Sequence, residues 1–302
     1  MKQSDFQVVT PADREVFRDF LRRFPTPSCE RAWANLRLYR DSYEWHYAIC
    51  DNHLVAVSFR SGHVQYPLGE ELPPHELAAL LRRVAAAGGW QPGCYDFPMD
   101  YLERHPESRS VFLVEEDPGE ADYLYDLKRL MSFSGNRLRK KHNQLRQFGR
   151  EFEGRFTVSP LTEAGLGPVL ALARKLNDFQ EPSDGIDEEN LALNRLEAEF
   201  GDPDLELRGI VLTIDGAVAG FSIYSPLGEG VADIHFEKAS RDFRNAGTAV
   251  TCALVRTLVQ QGFTMMNREQ DLNDAGLRQA KRSWEPVALH RRGNLILQQA
   301  PQ

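Results

Sequence analysis

Asn267-Arg-Glu-Gln-Asp271 puts two carboxylates and a guanidinium directly after an apolar run, Phe263-Thr-Met-Met-Asn267. An acceptor amine must shed a proton before or while it attacks a carbonyl, and Glu269 or Asp271 could take that proton or orient the ammonium. Arg268 suits a developing oxyanion or a phosphate. The next helical stretch adds Arg278, Lys281 and Arg282, which share one face and could neutralise an anionic donor. The alternative for these residues is structural: a helix capped by Asp274 with a surface salt network. His235 and Glu237, on the preceding apolar strand, either line the same cleft or form a satisfied buried pair. Charge crowded at a strand end is a frequent mark of working sites.

A second pattern, Arg244-Asn-Ala-Gly-Thr-Ala249, fits R-x-x-G-x-A at the start of a helix expected over Asn245–Gln260. Gly247 would let the backbone come close, while the free N–H groups around Thr248 and Ala249 point at a phosphate. The alternative is an ordinary glycine at a helix start. The equivalent place in the first half, Pro67-Leu-Gly-Glu-Glu-Leu-Pro-Pro-His75, has three prolines that remove donors and two glutamates that repel phosphate. The active site is therefore expected in the second half. No G-x-S-x-G appears and no Cys lies close in sequence to a His, which favours direct transfer over a covalent intermediate. His75-Glu76 lacks the second histidine of a zinc helix, so no metal is expected and no permanently bound cofactor.

The elements that must position these groups occur twice. Tyr47–Phe59 reads as strand, Asp-Asn turn and strand; Ile210–Tyr224 repeats this around Asp215-Gly216. Each hairpin is followed by a strand (Val64–Tyr66; Ala232–Phe236), a helix (His75–Ala87; Asn245–Gln260) and another strand (Cys94–Phe97; Phe263–Asn267). A last strand closes each half (Val111–Glu115; Val287–Leu297), and a helix opens each (Pro11–Arg23; Leu161–Phe179). This element order is that of the acyl-CoA N-acyltransferase (GNAT) fold. The sequence thus predicts an α/β tandem of two GNAT-like domains, mixed sheets flanked by helices, at 1–127 and 156–302 with a basic connecting helix at 128–155.

From Lys128 to Arg150 there are eight Lys or Arg and no acid. Ser134 is the expected N-cap, and Leu138, Leu145, Phe148 and Phe152 form one apolar stripe. Arg139, Asn143, Arg146 and Arg150 form a separate ridge beside Lys140, and Lys141 falls among the apolar positions. The ridge is either a solvated face or a contact for an anionic partner such as RNA, a phospholipid headgroup or a nucleotide. Glu181–Glu189 reads as a solvated acidic loop, with attraction of a cationic substrate as the alternative.

The net charge of −8 argues against a protein coated in basic charge for DNA. Apolar and charged fractions of 42% and 26% exclude disordered and fibrous classes. No apolar run approaches the ~18 residues of a membrane span, there is no signal-peptide pattern at the start, and the four scattered cysteines fit reduced thiols. A cytoplasmic protein is expected, with peripheral membrane contact left open.

Asp122-Tyr-Leu-Tyr125, Ser134–Asn143, Ile234–Lys238 and above all Asn267–Pro286 resemble the C-terminal domain of phosphatidylglycerol lysyltransferase and its soluble relatives. The resemblance covers nearly the whole chain. It implies a tandem GNAT-like fold akin to the Fem peptidyltransferases, and transfer of an aminoacyl group from charged tRNA to a lipid headgroup amine or hydroxyl. It also implies that Arg139-Lys140-Lys141, Asn267–Asp271 and Gly276–Lys281 contribute to the site. The lipid-modifying members carry a multi-span membrane domain that these residues do not contain. Where the family pattern more often has Ser-Tyr-x-Pro, this chain has Ser283-Trp-Glu-Pro286, an indole that cannot titrate in place of a phenol.

Two readings follow. One is a transferase taking its group from aminoacyl-tRNA, which the resemblance and the ridge suggest, or from acyl-CoA, which Arg244–Ala249 suggests. The other is a non-catalytic GNAT-like module that binds a nucleotide, a phospholipid headgroup or a protein partner.

Overall fold

Both hairpins close on two-residue turns whose central residues have positive φ: Asp51 and Asn52 at 48° and 61°, Asp215 and Gly216 at 51° and 82°. These are the left-handed turns whose twist matches paired strands, and they fix the registers Cys50↔His53 and Ile214↔Ala217. The computed structural model, which describes residues 1–181 and 183–298, builds a sheet outward from each hairpin. One sheet has the order Phe156–Pro160, Arg208–Ile214, Ala217–Gly228, Val231–Ala239, Met265–Asn267, Asp122–Asp126, Ala288–His290. The other runs Gln7–Val8, Trp45–Cys50, His53–Ser58, His63–Val64. A parallel bridge from Gln65 to Tyr95 continues it into Gly93–Pro98, Arg292–Leu297 and Phe112–Glu116.

The two halves exchange strands. Asp122–Asp126, the end of the first half, pairs with Met265–Asn267 in the second sheet. Arg292–Leu297, the end of the second half, inserts between Gly93–Pro98 and Phe112–Glu116 in the first. The single closing strand expected over Val287–Leu297 is therefore two strands in two sheets, broken at Arg291. The segments 1–127 and 156–302 each lend a strand to the other's sheet. Buried ion pairs follow the seam: Arg292 to Asp122 at 3.0 Å and to Asp96 at 2.7 Å, and Arg37 to Glu199 at 2.7 Å.

Four apolar clusters fill the layers. The largest joins Phe17, Trp33 and Leu36 of the first half to Leu170, Leu196, Phe221 and Phe236 of the second. Another packs the first sheet on the helix Pro74–Gly88. Two more pack the second sheet under the helices Ala246–Gln260 and Asn136–Glu151. The expected stripe on the latter points inward: Leu138, Phe148 and Phe152 are buried and Leu145 packs beside them. Its N-cap is Gly135 rather than Ser134. The Glu285 carboxylate, arriving from the other end of the chain, accepts the Arg137 N–H at 2.9 Å and replaces a local cap. A Cβ at Gly135 would run into that carboxylate.

The acidic stretch expected as a loop is helical from Asp184 to Glu199, because Ala192, Leu193 and Leu196 give it an apolar face. Pro182, within that stretch, lies outside the described residues. Among the described residues no helix is long and apolar enough to cross a membrane.

Candidate functional site

Val231–Ala239 and Met265–Asn267 run parallel but pair over only three residues, ending at Asp233↔Asn267. Beyond that point the longer strand continues beside Ala217–Gly228, while the shorter one turns away through Glu269 at φ 54°. The two strands splay, and side chains line the opening on both faces of the sheet. A bulge sets which face each one takes. The register slips between Ile223↔Phe236 and Tyr224↔Ile234, so His235 has no partner. An extra residue reverses the alternation of side chains beyond it. Asp233 and His235 accordingly face the seam between the halves (the cleft face), whereas Glu237 faces the helices.

On the helix face, Arg268 donates to Glu237 Oε1 at 2.8 Å and lies over the Tyr125 ring at 5.7 Å. The Thr251 hydroxyl donates to the same oxygen at 2.7 Å. Glu237 Oε2 and one terminal nitrogen of Arg268 are buried without a partner. Lys141 reaches in from the connecting helix and places its ammonium 4.7 Å from the ring centre of the buried Trp284. Half-buried, it makes no ion pair among the described residues; burial, helped by the charges of Arg268 and Lys140, pushes it down to about 8. Two cations and one carboxylate leave this face with surplus positive charge.

The cleft face has the opposite character. Glu269 Oε1 accepts from Asn35 at 3.1 Å and meets His235 Nδ1 at 3.3 Å. His235 Nε2 lies 2.8 Å from the Ser225 hydroxyl. Asp233 is fully buried with neither oxygen hydrogen-bonded, and its Oδ2 lies 3.6 Å from His235 Nδ1. Burial first, then the charges of Glu269 and Asp122, push its carboxyl well up. Arg292 offsets this only in part, its guanidinium being held by Asp122 and Asp96.

The residues singled out in the sequence divide among four places. Arg268, Glu237 and Lys141 meet on the helix face; His235 and Glu269 meet on the cleft face, where Asn267 donates to Pro27 O at 2.7 Å. Asp271, Arg278 and Lys281 instead build the turn behind the strand end. Asp271 accepts from the Tyr123 hydroxyl at 2.7 Å and twice from Arg278, at 2.8 and 2.7 Å. Burial acts to raise its carboxyl, and the Arg278 and Tyr123 hydrogen bonds outweigh that and hold it low. Its lone pairs are committed, leaving Glu269 as the carboxylate at the splay. Lys281, buried, donates to Arg268 O at 2.6 Å and to Gln270 O, so it closes the turn rather than meeting solvent. The helix Ala275–Arg282 is indeed capped by Asp274.

The fourth place is the R-x-x-G-x-A start. Arg244 and Gly247 are exposed, but Ala249 packs in the core, and Thr248 donates to Gln144 Oε1 at 3.1 Å. Asn245 meets Gln147 at 3.4 Å. The connecting helix thus lies across the turn that would hold a phosphate. On that helix Arg139, Lys140, Asn143, Arg146 and Arg150 are exposed, and no ion pair among the described residues engages the four cations.

Sequence reasoning missed Asp233, Asn35, Ser225 and Thr251. Asp233 had a signal: an acid inside Val231-Ala-Asp-Ile-His-Phe236, a strand whose only other polar residue is His235. Asn35 comes from an element far away in the chain, and Ser225, on the adjacent strand, carries no local mark that it would meet His235.

Two sheets of one repeated order, the second opening into a splay, define a tandem GNAT-like protein. Residues 21–292 match the family model for the C-terminal region of phosphatidylglycerol lysyltransferase, and the chain belongs to that family. Among solved structures, a conserved protein of unknown function from Bacteroides thetaiotaomicron superposes with a TM-score of 0.87 at 23% identity, covering 97% of this chain and 99% of that one. L-PGS from Bacillus licheniformis gives 0.64 at 14%, covering 98% and 94%. A tandem GNAT protein from the clavulanic acid biosynthesis pathway gives 0.50 at 11%, covering 98% and 99%. No match was found among curated proteins.

Proposed function

We propose that this chain is a transferase that moves an aminoacyl group from aminoacyl-tRNA to an amine or hydroxyl acceptor by direct attack. The observation that carries this reading is the splay, with unpaired cationic capacity on one face and a carboxylate–imidazole pair on the other. The acceptor nitrogen or oxygen attacks the ester carbonyl carbon, and its proton passes towards Glu269, which His235 and Asn35 hold in place. Negative charge developing on the carbonyl oxygen is met by Lys141 and by the free nitrogen of Arg268. The ester C–O bond then breaks, and the ribose oxygen leaves as a hydroxyl with the proton that Glu269 took up.

All four cysteines are free and buried, and burial pushes up both thiols near this site, Cys29 well above its ordinary value and Cys252 to about 12. A thiol so protonated is no nucleophile, which supports a ternary complex. The exposed ridge of Arg139, Lys140, Arg146 and Arg150 favours RNA as donor. The acyl-CoA reading rests on Arg244–Ala249, where Gln144 and Gln147 already engage the first helical turn. A non-catalytic module would bind the same ligands without turnover. Incubation with charged tRNA and small amines, followed by mass spectrometry of the aminoacylated product, separates these readings. Product formation that requires Glu269 supports the proposal. Stabilisation by coenzyme A but not by charged tRNA overturns the choice of donor, and binding of charged tRNA without turnover favours the module.

A further inference from the structure

Asp233 is the least explained group in the molecule. A carboxyl taken out of water with no hydrogen bond costs several kcal/mol when ionised, and buried charges in proteins are paired or coordinate metals. Both of its oxygens lack a partner, the residue is fully buried, and the side chain faces His235 and Glu269. The nearby cations are committed elsewhere: Arg292 to Asp122 and Asp96, and Lys281 to the carbonyls of Arg268 and Gln270.

We propose that Asp233, His235 and Glu269 form a binding site for one divalent transition-metal ion of the zinc or manganese kind. One ligand atom from each residue lies within 4.8 Å of the others. His235 Nδ1 is 3.3 Å from Glu269 Oε1 and 3.6 Å from Asp233 Oδ2. Ligands about 2.0–2.1 Å from a tetrahedral ion are separated by about 3.3–3.4 Å, so the two distances from His235 are close to the edges of such a polyhedron, and the third separation lies within 4.8 Å.

The outer contacts fit as well. A metal-bound histidine is normally oriented by a hydrogen bond from its other nitrogen. Here His235 Nε2–H can donate to Ser225 Oγ at 2.8 Å, which leaves the Nδ1 lone pair for the ion. Glu269 is steered in the same way by the Asn35 amide at 3.1 Å. An imidazole in the ligand set selects against magnesium and calcium, which prefer all-oxygen shells. Three protein ligands leave an open position. Glu269 alone of the three has a partly exposed side chain, so that position opens towards the cleft.

This rests on and deepens the transferase reading at the same site: Glu269 would hold the ion through Oε1, leaving Oε2 to take the acceptor's proton, and an acceptor hydroxyl or amine on the open position would lose that proton more readily. Metal binding is nevertheless measurable without any donor, so the two readings can fail separately.

The sequence shows no metal spacing because the ligands are not arranged along a helix. Asp233 and His235 alternate on a strand, and Glu269 comes from its splayed neighbour.

The test uses the full chain, stripped with a chelator and dialysed against Zn2+, Mn2+ or Mg2+, with bound metal and thermal stability measured. About one Zn2+ or Mn2+ per chain and a raised Tm are expected, with no such effect from Mg2+. Asp233→Asn and His235→Gln should each weaken binding at least about tenfold, and Ser225→Ala about 10–100-fold. Asp233→Asn removes a buried acid, so its metal-free form should melt no lower than wild type while losing the metal-induced shift. The proposal is overturned if wild type retains no stoichiometric metal, or if Asp233→Asn binds it as well as wild type. It is also overturned if methylammonium, and not a metal, produces the Asp233-dependent shift, since the cluster would then be an ammonium site.

Discussion

The two faces of the splay are built from alternate residues of the same two strands, yet they have opposite electrostatic characters. Arg268 and Glu237 turn towards the helices, where Lys141 and Trp284 join them and positive charge is in surplus. Glu269 and His235, their immediate or near neighbours in sequence, turn towards the other half of the molecule and meet Asp233, where negative charge is in surplus. A β-strand can serve two chemistries in this way because consecutive side chains leave on opposite sides. The bulge at His235 is what keeps both members of each pair on a common face. The difference suggests a division of labour: the helix face holds the anionic donor, and the cleft face handles the proton or cation of the acceptor.

The largest expected effect comes from disabling the cleft face. Glu269→Gln preserves the contact with Asn35 and should lower transfer by ~10²–10⁴-fold, while leaving tRNA affinity within about twofold, as read by filter binding. If affinity fell and turnover did not, the two faces would have been assigned the wrong way round. Next in size is reversal of the ridge that feeds the helix face. Substituting Arg139, Lys140, Arg146 and Arg150 by Glu should weaken tRNA binding by ~10²-fold or more and flatten its salt dependence. These exposed positions should move stability by less than ~1 kcal/mol in urea titrations.

Smaller again is an effect on stability. Arg268→Ala strands Glu237 with only the Thr251 hydroxyl and should cost ~3 kcal/mol in chemical denaturation. The double change Arg268→Met with Glu237→Leu should recover most of that loss, because no buried charge is then left unpaired. The smallest effect is a pH dependence confined to the helix face. Lys141 titrates at about 8 in the folded chain and near its ordinary 10.5 when unfolded. Between these values the unfolded chain holds a proton that the folded chain has released, so stability rises with pH through this window. Below pH 8 the cost of the half-buried charge is fully present. Lys141→Met should therefore melt above wild type at pH 7, with the margin shrinking between pH 8 and 10.5. An equal margin at all pH values would mean that Lys141 is not strained by burial.

Much of this was legible in the chain itself. Asp51-Asn52 and Asp215-Gly216 announce their hairpins because their backbone preferences are local, and the repeat of elements follows from them. The stripe Leu138, Leu145, Phe148 and Phe152 identifies the buried face of the connecting helix by spacing alone. The family resemblance rests on the Asn267–Pro286 run, and the family match over residues 21–292 bears it out. Glu269 and Arg268 were visible as charges after a strand; that they face apart was not, since it depends on where two strands stop pairing. Asp271 looked equivalent to Glu269 by type and position, and only Tyr123 and Arg278 distinguish them.

The sequence therefore determined both hairpins, the main helices of each half and which residue types gather at the strand end, because these follow from local turn chemistry and periodicity. Tertiary structure decided the rest. Alternation along a strand says that two faces exist but names neither the neighbouring strand nor what covers each face. Here the halves exchange their closing strands, a bulge resets the alternation at His235, and Asn35 arrives from a distant element. Contacts between residues so far apart in the chain depend on how the whole core closes, which no short window of sequence contains.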